Sequence, residues 1–227
     1  MSVYRTINTI FLEKGIVYCK RKSGKGKQAL HQRQGSLDGA CGAYSLAMDL
    51  MITGLINSED IFSISKIDKR LSANKLIKEL IINNGLYIDG RYLEEYKNMV
   101  DKYLSKETET ILYSDKNKII EVLQERIGDN IPSVLDIQYS GGGHSVVVVG
   151  MSFDDRDNPL KILCLDPVFE SPSISVWNSV IDIQEPIAHK QYCYIWETNN
   201  NTPVYLNGSL TIQKKSPIID VKRRTAG

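Results

Sequence analysis

No stretch of the 227-residue chain approaches the roughly 18 apolar residues of a membrane span. Its start, MSVYRTINTIFLEKGIVYCK, lacks both the long apolar core and the small-residue cleavage site of a leader peptide. A soluble, cytoplasmic protein is therefore expected. Charge of one sign is missing too. Lys and Arg number 28 against 27 Asp and Glu, a formal charge of +1, so no bulk attraction to nucleic acid or to an anionic membrane follows. Cysteines are few and scattered: Cys19, Cys41, Cys164 and Cys193 form no CxxC pair, and no Cys/His spacing prefigures a zinc site. Neither a metal nor a cofactor is expected, and without a leader the thiols are expected to stay reduced.

What is present fits one ordinary globular unit, 42% hydrophobic and 24% charged. The expected boundaries are a single domain over residues 1–213 and a tail over 214–227. Tyr4 to Tyr18 mixes β-branched and aromatic residues and reads as strand. Lys20 to Lys27, basic and glycine-rich, reads as an exposed loop with no aromatic interleaving that would favour nucleic acid. From Cys41 a three-to-four spacing through Ala43, Leu46, Ala47, Leu50 and Met51 predicts a helix closed by Gly54. Ser58 opens a short turn. Further helices are predicted over 72–84, stopped at Asn83-Asn84-Gly85, and over 92–104 and 116–127, the last two separated by a strand at 110–113. After Pro132 the texture reverses. Strands are predicted at 133–137, 145–151, 162–165, 174–177 and 192–196, with a hairpin turn through Asp154 to Pro159. Helices followed by strands predict an α+β fold, a helical N-terminal part packed on a mainly antiparallel C-terminal sheet.

Chemistry concentrates where the glycine-rich segment Gln34 to Gly39 runs into the first helix, with Cys41 at the junction. A thiol there feels the partial positive charge of the helix N-terminus, which favours the thiolate. Small neighbours, Gly39, Ala40, Gly42 and Ala43, let a substrate backbone approach. On local sequence alone Cys41 is equally a small core residue. Of the three histidines, only His144 stands in an informative setting, after Gly141-Gly142-Gly143 and before Ser145-Val146-Val147-Val148-Val149. That places an imidazole at the mouth of a rigid apolar strand. His31 and His189 read as surface residues. Asp166, ending the following strand in Leu163-Cys164-Leu165-Asp166-Pro167, is the carboxylate able to hold the imidazole's other nitrogen.

Taken together, a Gln before a Cys-Gly that opens a helix, a Gly-His before a valine-rich strand, and an Asp-Pro after the next strand resemble the papain-like cysteine peptidases. Closest in style are the bacteriocin-processing double-glycine peptidases, over roughly Gln34 to Pro167. The resemblance implies a papain-like fold and hydrolysis of a peptide or isopeptide bond in a protein or peptide substrate through an acyl-thioester. Cys41 would be the nucleophile, His144 the base, Asp166 its orienter and Gln34 the oxyanion donor beside the Cys41 backbone N–H. Gln34 stands one position further from the cysteine than the family usually has it, with Gln32 as the alternative, and the His144 to Asp166 interval is long for the family. Two other outcomes stay open. One is deamidase, transglutaminase or acyltransferase chemistry, as in some papain-like bacterial toxins and effectors. The other is a silent relative serving as a binding module.

Overall fold

Lys14 and Gly15, with φ of 50° and 73°, turn the chain back on itself. With a second turn at Asn8-Thr9, they split the expected Tyr4–Tyr18 strand into β1 (Val3–Thr6), β2 (Ile10–Glu13) and β3 (Ile16–Lys20), followed by β4 (Lys27–Ala29). The computed structural model describes residues 2–35, 39–62, 71–82, 91–184, 186, 190–197 and 200–215. Strands β2, β3 and β4 form a small antiparallel sheet, and the basic segment is the exposed loop joining β3 to β4. Val17 and Cys19 of β3 are buried, with the Cys19 thiol 3.7 Å from the Met51 carbonyl.

Five described helices follow: α1 (Cys41–Ile52), α2 (Ser58–Phe62), α3 (Ser72–Ile82), α4 (Leu93–Leu104) and, after strand β5 (Thr108–Tyr113), α5 (Ile119–Gly128). The first was expected to bury one stripe. From Ser45 to Ile52 every residue of it is buried, so α1 is a central helix and not a half-exposed one. Gly54, at φ 69°, ends it in the left-handed conformation that suits glycine. Glu95 accepts the backbone N–H of Tyr92 at 3.0 Å, reaching back over the start of α4. The stop at Asn83 to Gly85 lies outside the described residues.

The remaining strands are β6 (Ser133–Tyr139), β7 (Gly142–Phe153), β8 (Pro159–Leu165), β9 (Ser179–Asp182), β10 (Tyr194–Glu197) and β11 (Thr202–Lys214). All their pairings are antiparallel. In the order β7-β6-β11-β10-β9-β8 they return to β7, so the sheet closes on itself, with β1 added to β7 and β5 to β11. Closure removes exposed edges. The fold is thus α+β, helices N-terminal and an antiparallel sheet C-terminal. The β7–β8 hairpin is found, its turn held by Asp154 accepting the backbone N–H groups of Arg156 and Asn158, both at 2.8 Å.

Two strand expectations need correction. Residues 174–177 form no strand, the chain bending through 173–176: Ile174 is 92% exposed, and the chain joins the sheet only where the Asn178 N–H reaches the Cys164 carbonyl at 3.1 Å. The 13-residue β11 was not expected at all. Pro203 and Asn207-Gly208 would ordinarily break a strand, yet Pro203 lies at the strand's start and the register shifts between Leu206 and Gly208, a bulge that accommodates Asn207.

Candidate active site

Cys41 is the first residue of α1, and no side chain caps that helix end or adds a negative charge in its first turn. The helix's partial positive charge is therefore left for the thiol and whatever binds it. Gly42 follows because nothing larger fits: a Cβ there would stand 2.5 Å from Tyr96 Cε2. One turn on, the Ser45 hydroxyl donates to the Ser145 carbonyl at 2.9 Å, tying α1 to β7.

That tie aligns Cys41 with His144, which is buried on β7. His144 Nε2 lies 2.8 Å from Asp166 Oδ1, leaving Nδ1 as the other ring nitrogen, and the Cys41 thiol lies near enough to this ring for each to shift the other's proton affinity. Asp166 is fully buried at the end of β8. Its Oδ1 also accepts the Val168 N–H at 2.9 Å. Asn178 clamps its backbone from both sides, Oδ1 accepting the Asp166 N–H at 2.7 Å and Nδ2 donating to the Asp166 carbonyl at 2.9 Å. Trp196 covers the other side of the imidazole, stacked 5.1 Å from it, with Nε1 donating to Ser179 Oγ at 2.7 Å.

These contacts set the charge states. Burial pushes the Cys41 thiol up, but the His144 hydrogen bond, the charge of that ring and a backbone hydrogen bond from Ser145 outweigh it and bring the thiol below its ordinary value. Burial likewise opposes charge on His144, yet the hydrogen bonds to Asp166 and Cys41 raise it. Opposite shifts on two neighbouring groups favour the charged forms of both, thiolate and imidazolium. The other buried thiols behave as core residues: burial pushes Cys19 up to about 11 and Cys164 well above the thiol range.

The sequence-predicted residues meet unequally. Cys41, His144 and Asp166 come together. Gln34 is pinned beside Asp166, its N–H donating to the Pro167 carbonyl at 2.8 Å. Gln32 points elsewhere, buried with its amide 3.3 Å from the Leu30 carbonyl and 3.9 Å from the Met51 sulfur. His31 is not a surface residue. Half-buried, it donates from Nε2 to the Asp166 carbonyl at 2.9 Å, because an extended segment carries it under the end of β8. His189 lies outside the described residues. Sequence reasoning missed Ser45, Asn178, Trp196 and Tyr96, whose roles depend on contacts between distant elements; Ser45 alone had a local signal, four residues after the cysteine on the same helix face.

A pocket of about 250 Å³ opens at the thiol, lined by Cys41, Gly42, His144, Asp136, Gln138 and Asn207 among others. Its described lining includes nothing before Cys41. No three His, Cys, Asp or Glu side chains gather as metal ligands among the described residues, and no described helix is long and apolar enough to cross a membrane.

Among curated proteins none matches the chain. Among solved structures it is similar to UfSP from C. elegans, at 13% identity and a TM-score of 0.44. The match covers 96% of this chain and 35% of that one, so the chain spans about a third of that protein's length. A family model described as the Peptidase_C39-like family matches residues 27–198. With Cys41, His144 and Asp166 all inside that span, which is well over half of its length, the chain belongs to the Peptidase_C39-like family.

Proposed function

We propose that the protein is a cysteine peptidase that cleaves a peptide or isopeptide bond through Cys41, His144 and Asp166. The observation that carries this reading is the 2.8 Å contact of His144 Nε2 with Asp166 Oδ1, in a pocket shared with a thiol at a helix N-terminus. The Cys41 thiolate attacks the carbonyl carbon, and the oxygen gains charge at the uncapped start of α1. His144 gives its proton to the departing amine as the C–N bond breaks, leaving an acyl-thioester on Cys41. Water, deprotonated by the now neutral His144, then attacks the thioester and releases the acid. Asp166 holds the tautomer and stabilises the imidazolium. Gln34 serves as the side-chain oxyanion donor, a role worth about 3 kcal/mol of transition-state stabilisation where such donors have been removed.

A peptide bearing a thiol-reactive electrophile should label Cys41 in the native protein and fail to label Cys41→Ala. Site-specific labelling that persists in that variant sinks the assignment. Mass spectrometry of treated lysate then fixes the fate of the acyl group: new peptide termini mean hydrolysis, mass shifts on Gln or Lys side chains mean deamidation or transfer.

A further inference from the structure

Asp136 lies in the same pocket as the thiol, yet the triad leaves it unused. It sits on β6 directly across from Ser145, the residue after His144. The Ser145 hydroxyl donates to its Oδ1, and that is its one hydrogen bond among the described residues. Arg91 lines the pocket as well, and Asp136 is in no ion pair among the described residues. The charges that act on Asp136 are those of the site itself. His144 is the one that favours its ionised form, and Asp136 in turn raises the Cys41 thiol. Burial lifts the Asp136 carboxyl to about 6, against the pull of the Ser145 hydroxyl and the His144 charge. A half-buried carboxylate answered by a single neutral hydroxyl is electrostatically incomplete, and a cation entering the pocket would complete it.

We infer that Asp136 is a specificity residue: it receives the ammonium or guanidinium group of a substrate side chain next to the scissile bond. This rests on the peptidase reading. Three observations fix the partner's chemistry. The free capacity on Asp136 is for accepting hydrogen bonds, which calls for a donor. Gln138 and Asn207, neutral amides in the same lining, can bind the aliphatic stem's flanking backbone without competing for charge. At about 250 Å³ the pocket falls short of the roughly 300–1,000 Å³ typical of whole small-molecule ligands and suits one side chain. Asp136 and His144 lie on neighbouring rungs of paired strands, so that side chain belongs to a residue flanking the cleaved bond.

The test is a peptide library in which each position from two before to two after the cleaved bond carries Lys or Arg, or the neutral norleucine or citrulline. The readout is the ratio of kcat/KM between cationic and neutral members. The native protein should favour the cation about tenfold or more at one position. Asp136→Asn should bring that ratio close to one, and Asp136→Glu should keep it. A native ratio near one at every position overturns the inference, as does a preference that Asp136→Asn retains. If no library peptide is cleaved while iodoacetamide still labels Cys41, the peptidase reading fails and takes this inference with it.

Discussion

The Ser45 hydroxyl on α1 donates to the Ser145 carbonyl on β7 at 2.9 Å, four residues past the thiol and one past the imidazole. Both groups are buried, so the bond fixes the helix against the strand at the level of Cys41 and His144. Ser45→Ala should cost about 1 kcal/mol of stability, the usual worth of a buried neutral hydrogen bond. Its effect on kcat should be larger than that loss predicts, because small misplacements of the thiol are costly. Thermal melts beside kcat and KM, measured separately, check this: a lower kcat at unchanged KM is expected.

A thiolate–imidazolium pair predicts a bell-shaped dependence of kcat/KM on pH. The acid limb should lie below the ordinary thiol range, since Cys41 is lowered, and the alkaline limb near 9, where His144 loses its proton. Asp166→Asn removes a hydrogen bond that raises His144, so the alkaline limb should move down. Alkylation of Cys41 by iodoacetamide at pH 6 should slow sharply in His144→Ala.

Gly42→Ala should destabilise the protein by about 1–3 kcal/mol, the range for overpacking a filled core. The added methyl meets the Tyr96 ring at 2.5 Å. Pairing it with Tyr96→Leu should restore part of the loss in a thermal melt, whereas equal instability of both variants would count against the clash.

Asp49 is fully buried in α1, both carboxylate oxygens lack a hydrogen-bond partner among the described residues, and burial raises its carboxyl well above the usual range. A raised folded value means that the folded state binds the proton more tightly. Stability is then fully kept below the unfolded value of about 3.9 and falls with rising pH, by up to about 1.4 kcal/mol per unit, until the folded value is passed. Asp49→Leu should raise the melting temperature at neutral pH and flatten stability against pH in that window.

The sequence made the helix of Cys41, the His144 strand and the hairpin to Asp166 legible because each rests on local periodicity or turn chemistry. Contacts between distant elements were not legible. His31 read as surface because nothing within its own segment reveals that it will meet the Asp166 carbonyl. Asn178 and Trp196 are ordinary residues until the sheet closes and brings them to Asp166 and His144. The strand assigned to 174–177 failed for a related reason: an apolar run signals burial only if the fold covers it, and Ile174 is left almost fully exposed.

Strand β11 lies after the last residue of the family match and is inserted between β6 and β10, so the ring of strands beneath the site is completed last. During synthesis, β6 with Asp136 and β10 with Trp196 therefore emerge with open edges that only Thr202–Lys214 can join. A ribosome-bound chain halted before that segment should present two unsatisfied edges to chaperones and to one another. Closure of the ring beneath Cys41 and His144 would then wait on the synthesis of Thr202–Lys214.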